Sequence, residues 1–428
     1  MPLRKAGVVM KIKQKKVEYS KVKDLPRAKR FNPQRPFGLL TFVVRVLAGM
    51  KLTKNKFSYT SDYAEILDKG PCLILMNHSS FLDLQIASKI LYPRKYNIVC
   101  TTDGLVGKKL LMKMLGCIPT RKFVSDMGLI RDIRYALNNG THVLMYPEAG
   151  YSFDGRSTLL PKKLGAFAKI LNVPVVTIIT QGAFNYQPLF NELNIRKVKT
   201  SAHVQCLFTK GQTQKLSVEE LSKKIEEVFV FDNFKYQQDN LIKITEKNRA
   251  DGLHRILYKC PHCFKEGKMV GKGVEITCQE CGKSYILNEY GYLVAKSGES
   301  KFRHIPDWYD WQREEVRKEI LKGEYKLDAP VEIGLLFDYK ALYMVGSGRL
   351  VHDKNGFSLT GANGELNYTQ PVSASYTLNS DFYWYEIGDV IGIGNNDCLY
   401  YCFPKDDTIV CKARLATEEL YKMNKGGR

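Results

Sequence analysis

The stretch CLILMNHSSFLD, Cys72–Asp83, decides how the first half of the chain is read. Cys72–Met76 is a continuous apolar run of strand length, the pattern of a strand buried on both faces. His78 follows the run, Ser79 or Ser80 suits the cap of a helix, and Asp83 falls in the first turn of that helix. Where the chain folds back in this way, a carboxylate five residues on can reach the imidazole. Asp83 then holds one ring nitrogen, and the other faces outward to take a proton from a hydroxyl. The same spacing also fits a capped strand–helix turn with a surface histidine, so the neighbouring sequence has to arbitrate.

Further strand-like runs follow at KYNIVCT (95–101), HVLMYPE (142–148), VPVVTIIT (173–180) and SAHVQCLF (201–208). Helical patterns at 126–140 and 164–172 alternate with them, and SVEELSKKIEEVFVF (217–231) closes the region, with Ser217 and Glu220 spaced as a capping box. Alternating strands and helices predict an α/β domain with a mainly parallel sheet.

Three later stretches bear on the histidine. GCIPTR (116–121), YPEAGYS (146–152) and VPVV (173–176) follow it in that order. With NHSSFLD the set resembles the four ordered blocks of the PlsC-type glycerolipid acyltransferase family. Asn77, His78 and Asp83 match the first block, and Gly116, Ile118 and Arg121 the second. Pro147, Glu148 and Ser152 match the third, and Val173, Pro174 and Val175 the fourth. The resemblance covers about residues 37–235. It implies that His78 acts as general base on an acceptor hydroxyl, which attacks an acyl thioester directly with no acyl-enzyme. It implies that Asp83 orients the base, and it makes Asn77, Gly116, Arg121, Glu148 and Ser152 substrate-binding residues, with Arg121 and Glu148 helping to hold the acceptor headgroup. The donor is acyl-ACP or acyl-CoA. The default acceptor is a lysophospholipid, 1-acylglycerol-3-phosphate, in phospholipid biosynthesis. The third block departs from the family: Ala149, Gly150 and Tyr151 stand where Gly-Thr-Arg is usual, and the arginine is missing. Arg156, Lys162 and Lys163 are the cations nearby that could replace it.

Of eleven cysteines, four form CPHC…CQEC: Cys260, Cys263, Cys278 and Cys281. Two such knuckles supply four thiolates to a closed tetrahedral shell, so a structural Zn²⁺ in a small zinc ribbon is expected, and no cofactor for catalysis. The other seven are scattered through apolar runs and read as reduced core residues of a cytoplasmic protein.

The balance is 65 Lys+Arg against 44 Asp+Glu, a formal charge of +21, which favours anionic partners. Residues 1–34 carry eleven Lys/Arg against Glu18 and Asp24, a net +9. The apolar segment Phe37–Met50 follows this arm. It is shorter than a span and contains Arg45, so it reads as an interfacial helix on an anionic membrane. No apolar core follows the first charges, so no secretory leader is expected. These features place the protein at the cytoplasmic face of the membrane, peripheral or monotopic.

Beyond 330, short β-branched and aromatic runs separated by Gly, Asn and Asp predict an antiparallel β domain. Its strands and terminal helix resemble a pleckstrin-homology-like module. The whole chain is then a basic disordered arm (1–36), N-terminal interfacial helices (37–70), an α/β acyltransferase-like domain (71–235), a zinc ribbon (250–300), a linker helix (301–329) and a β-rich domain (330–428). Two rival functions are a zinc-ribbon protein that binds nucleic acid and a catalytically inactive lipid-binding scaffold. The first accounts for the charge but not for the four blocks, and the arm lacks the interleaved aromatics of a single-strand binder. The intact His78–Asp83 pair argues against the second.

Overall fold

A computed structural model describes residues 11–124 and 126–426. The chain forms two compact units, one of residues 29–187 with 197–236, the other of residues up to Ala28 with 188–196 and 237–428.

The first unit contains α1 (Gly38–Lys54), β1 (Ser58–Asp62), β2 (Leu73–Met76), α2 (Asp83–Leu91), β3 (Tyr96–Thr101), β4 (Cys117–Thr120), α3 (Met127–Asn138), β5 (His142–Met145), α4 (Leu164–Leu171), β6 (Val175–Gln181), β7 (Ser201–Phe208) and α5 (Val218–Val228). Its seven-stranded sheet runs β1-β7-β6-β2-β5-β3-β4. Every pairing is parallel except β6 with β7, so the expected mainly parallel sheet is found. The all-apolar Leu73–Met76 lies in the middle of the sheet and is buried throughout, as a strand covered on both faces must be. Leu73, Leu75, Val143 and Val175 join Ile133 of α3, Ala168 of α4 and Ile225 of α5 in one core. Ser217 and Glu220 form the expected capping box at the start of α5.

Two strands lie outside the sequence reading. β1 is polar and exposed at every position, so no apolar alternation marks it. β4 is four residues long and contains Pro119. Proline is tolerated there because β4 is an edge strand.

The disordered arm expected over 1–36 is corrected from Lys11 onward, residues 1–10 lying outside the described residues. Gln14–Lys16 forms a short strand paired in parallel with Leu342–Met344, and Ile12 and Val22 are buried. Arg30 makes ion pairs with Asp126 at 2.8 Å and Asp132 at 2.5 Å. Buried apolar positions and paired charges outweigh the solvation of the lysines. Over 37–70 there is one α-helix rather than several, followed by β1 and a 3₁₀ turn. Helix α1 packs on α2, yet it leaves Leu39, Phe42, Val43, Val46, Leu47 and Met50 exposed at i, i+3, i+4, i+7, i+8 and i+11, an apolar stripe on the solvent side. Among the described residues no helix is long and apolar enough to cross a membrane.

The second unit begins its main run with four short antiparallel strands, β8 (Met269–Lys272), β9 (Glu275–Cys278), β10 (Ser284–Leu287) and β11 (Leu293–Ala295). Helix α6 (Ile305–Leu321) follows. It was expected to link domains, but it is built into the ribbon. The Trp308 indole is buried, donates to the Lys259 carbonyl at 2.9 Å and meets Tyr285 edge-on. Gln312, also buried, bonds the backbone at Ile256 and Lys259. Seven antiparallel strands then form one sheet: β12 (Leu327–Leu336), β13 (Leu342–Asp353), β14 (Gly356–Gly361), β15 (Leu366–Pro371), β16 (Asn379–Trp384), β17 (Gly388–Gly394) and β18 (Leu399–Pro404). Their order is β15-β14-β13-β12-β18-β17-β16, and α7 (Ile409–Gly426) ends the unit. This is the antiparallel domain read from the sequence.

Candidate active site

The loop between β2 and α2 starts at the carboxyl end of the central strand, where ligands of open parallel sheets bind. Asp83 is the first residue of α2 and is fully buried. Its Oδ2 accepts from Ser79 N at 2.7 Å and Ser80 N at 2.9 Å, and lies 3.1 Å from Nδ1 of His78. The serines therefore do not cap α2 with their own hydroxyls as expected. Asp83 reaches back to their amides instead, and the Ser80 hydroxyl takes the Leu82 N–H. With Nδ1–H donating to Asp83, Nε2 keeps its lone pair, the tautomer a general base requires.

The His78 ring sits between two phenols. Tyr146 stacks on it at 4.1 Å between centroids, and Tyr151 lies tilted against it at 3.9 Å, with Phe81 at 5.1 Å from Tyr151. Burial pushes the His78 pKa below its ordinary value. Asp83 opposes this, and the nearby charge of Lys122 adds to it. The base is thus neutral near pH 7.

Glu148 is fully buried. One oxygen accepts from His78 N at 2.8 Å, the other from Thr158 N at 2.9 Å. Burial raises its pKa to about 7, against the pull of those amides. Asn77 is a bracket between strands: its Oδ1 takes Thr180 N at 2.7 Å, and its Nδ2 donates to the Thr180 carbonyl and to the Ser79 hydroxyl. Gly116 is buried at φ +81°, where a Cβ would lie 2.6 Å from Pro36. Ser152 is buried with its hydroxyl unpartnered among the described residues. Of the five expected substrate-binding residues, these four are therefore buried, and the polar contacts of Asn77 and Glu148 are made within the protein. Arg121 alone keeps a partly exposed side chain. It follows β4, which is parallel to β3, β5 and β2 in turn, and so leaves the sheet at the same end as His78. The sequence reading missed Lys122 beside it, and it missed the ring contacts of Tyr146 and Tyr151, which no spacing rule announces. Arg156, a possible substitute for the missing arginine, is engaged by Asp154 at 2.7 Å, and Lys162 and Lys163 are exposed.

In the second unit the sulfurs of Cys260, Cys263, Cys278 and Cys281 all lie within 4.8 Å of one another. Cys260–Cys281 is 3.8 Å and Cys263–Cys278 is 3.7 Å. A tetrahedral shell with Zn–S bonds of ~2.3 Å puts its sulfurs about 3.8 Å apart, so the cluster fits a metal ion such as zinc. Both knuckles bend alike: Phe264 N bonds the Cys260 carbonyl and Gly282 N the Cys278 carbonyl, each at 2.9 Å.

Residues 57–181 match the family model described as Acyltransferase. That segment carries the acyltransferase-family domain. The crystal structure of the 1-acyl-sn-glycerophosphate (LPA) acyltransferase PlsC from Thermotoga maritima is similar at 16% identity over 44% of this chain and 76% of that one, with a TM-score of 0.34. No curated protein matches the chain.

Proposed function

We propose that the protein moves a fatty acyl group from an acyl thioester, acyl-CoA or acyl-ACP, to the hydroxyl of a lysolipid at a membrane surface. The observation that carries this reading is the His78–Asp83 pair, 3.1 Å apart at the carboxyl end of the central strand, within the segment matching the acyltransferase family.

His78 Nε2 takes the proton of the acceptor hydroxyl as its oxygen attacks the thioester carbonyl. The C–S bond breaks, an ester C–O bond forms, and the imidazolium returns the proton to the leaving thiolate. Asp83 stabilises the imidazolium while it exists. Glu148 acts through His78 by fixing the backbone of the loop. Arg121 and Lys122 are the cations for an acceptor phosphate, and the planar fork of Arg121 suits two of its oxygens. The expected acceptor, 1-acylglycerol-3-phosphate, has these two side chains to bind it and no third from the departed block.

In this reading the protein works at the cytoplasmic face of a bilayer, and the exposed stripe of α1 supports docking on a membrane surface without spanning it. The lysines of the arm, exposed at Lys11, Lys13, Lys15 and Lys16, add attraction to anionic lipid. The four cysteines hold a structural zinc, which takes no part in acyl transfer. The test is transfer of a labelled acyl group from either thioester to lysolipids in mixed micelles by the purified full chain. Turnover that depends on His78 supports the reading. Equal turnover by His78→Ala refutes it.

A further inference from the structure

We propose that the ribbon carries a binding site for a phosphocholine group, walled by Phe264, Phe302 and Trp311. It stands apart from the acyl-transfer reading and would survive its failure. The three rings share one cation. The Lys301 ammonium lies over each of them, 5.3 Å from the centroid of Phe264, 5.5 Å from that of Phe302 and 4.9 Å from that of Trp311. The rings are inclined to one another: Trp311 meets Phe264 at 66° and Phe302 at 36°, with 5.7 Å between centroids in each pair. Their π faces attract positive charge, so together they define a cation site. A quaternary ammonium suits such a site better than a primary one. Its methyl groups pack on the rings, whereas the N–H donors of a primary ammonium lose water there and gain no acceptor.

The walls are fixed by the fold. Trp311 stands one turn beyond the buried Trp308, whose indole is tied to the Lys259 carbonyl, so α6 sets its place. Phe264 closes the first cysteine knuckle at φ +64°, where the second knuckle has Gly282 at φ +71°. Glycine adopts that left-handed conformation freely, and a residue with a Cβ does not. Burial does not offset the strain, because the Phe264 side chain is 51% exposed. An exposed ring held at a strained position is the mark of a ligand clamp. Lys301 is the movable part. Its side chain is exposed, and among the described residues no hydrogen bond or ion pair holds it. Its long stem can swing out and leave the rings to a trimethylammonium group. The displaced ammonium then stands at the rim, where it pairs with the phosphate of the same ligand.

The test titrates the full chain with phosphocholine, tetramethylammonium and phosphoethanolamine, followed by NMR of the ligand. The first two should bind with their methyl protons shifted upfield by the rings, and phosphoethanolamine should bind about fivefold or more weakly than phosphocholine. Phe264→Gly and Trp311→Ala should each weaken phosphocholine about fivefold or more. Phe264→Gly should also keep or raise Tm, because glycine fits the left-handed position. Lys301→Met should tighten tetramethylammonium about threefold by vacating the rings, and phosphocholine less, because its phosphate loses a partner. Phosphatidylglycerol vesicles containing phosphatidylcholine or phosphatidylethanolamine, sedimented in high salt, separate two sources of the group. A preference for phosphatidylcholine that Phe264→Gly removes assigns a lipid headgroup, and free phosphocholine bound without that preference assigns a soluble ligand. Absence of phosphocholine binding by wild type overturns the inference, even if a trimethyllysine peptide binds. So does binding that Phe264→Gly and Trp311→Ala leave unchanged, or equal affinity for phosphoethanolamine. If Trp311→Ala does not fold, Phe264→Gly still decides.

Discussion

Replacing Glu148 by glutamine separates a residue that holds the loop from one that binds the acceptor. Both Glu148 oxygens accept backbone N–H groups, from His78 at 2.8 Å and Thr158 at 2.9 Å. An amide offers one acceptor and turns an NH₂ toward the other amide, leaving a buried N–H without a partner. That costs about 1–3 kcal/mol. In a unit of this size the loss corresponds to a fall in Tm of roughly 2–12 °C. The displaced His78 backbone carries the imidazole with it, and kcat should drop about 10–100-fold, with KM within about twofold. The carboxyl also sets a pH dependence. Burial raises its pKa from 4.5 to about 7, so the folded state holds the proton more tightly than the unfolded one. Its contribution to stability is therefore lost as pH rises from about 4.5 to about 7 and is flat beyond, a change of about 3 kcal/mol. Glutamine has no such titration, so the Tm advantage of wild type over the variant should shrink across that window. The assays are scanning calorimetry from pH 4 to 8 and steady-state kinetics at saturating donor. A raised KM with kcat unchanged would refute the reasoning, since it would place Glu148 on the acceptor.

Other consequences follow from the same geometry. Arg121→Ala should raise the acceptor KM about tenfold for phosphate-bearing acceptors, with little effect on kcat, because it removes a headgroup contact and leaves the base intact; an equal rise for monoacylglycerol would rule out a phosphate role. Cys260→Ser or Cys281→Ser should release one zinc per chain, measured by metal analysis, and expose the ribbon to protease, since a structural metal supplies much of a small module's folding free energy. A metal-free protein with a protease-resistant ribbon would contradict the assignment. Leu39→Ser with Phe42→Ser and Leu47→Ser should weaken sedimentation with anionic vesicles even in high salt, where charge is screened, and unchanged binding would clear α1 of the role.

What the sequence disclosed tracks how local the signal is. The apolar run Leu73–Met76 declares a central strand, because burial on both faces removes all polar residues. The His78–Asp83 contact is legible because both ends lie on one loop. The cysteine quartet is legible because two local knuckles need only meet. β1 and β4 were hidden because an exposed or four-residue edge strand needs no pattern. The order of Lys11–Ala28 was hidden by its charge, since the pairing of Gln14–Lys16 with residues over three hundred positions away leaves no trace in local composition. Tyr151 could be seen as a departure from a family pattern, but its place against His78 is set by a loop that periodicity does not reach.

The central claim is that His78, held by Asp83, is the base for acyl transfer. Turnover from a thioester to a lysolipid, measured for wild type, His78→Ala, Asp83→Asn and the double variant between pH 5 and 8, tests it most directly. His78→Ala should lose roughly 10²–10⁴-fold with the fold intact. Asp83→Asn should also fall strongly, and the double variant little further, because both serve one proton transfer. The acid limb of wild-type kcat/KM should lie below pH 6.5, since burial lowers the His78 pKa and the base is active above it. Wild-type turnover by His78→Ala would contradict the account and leave His78–Asp83 as a turn that only joins a strand to a helix.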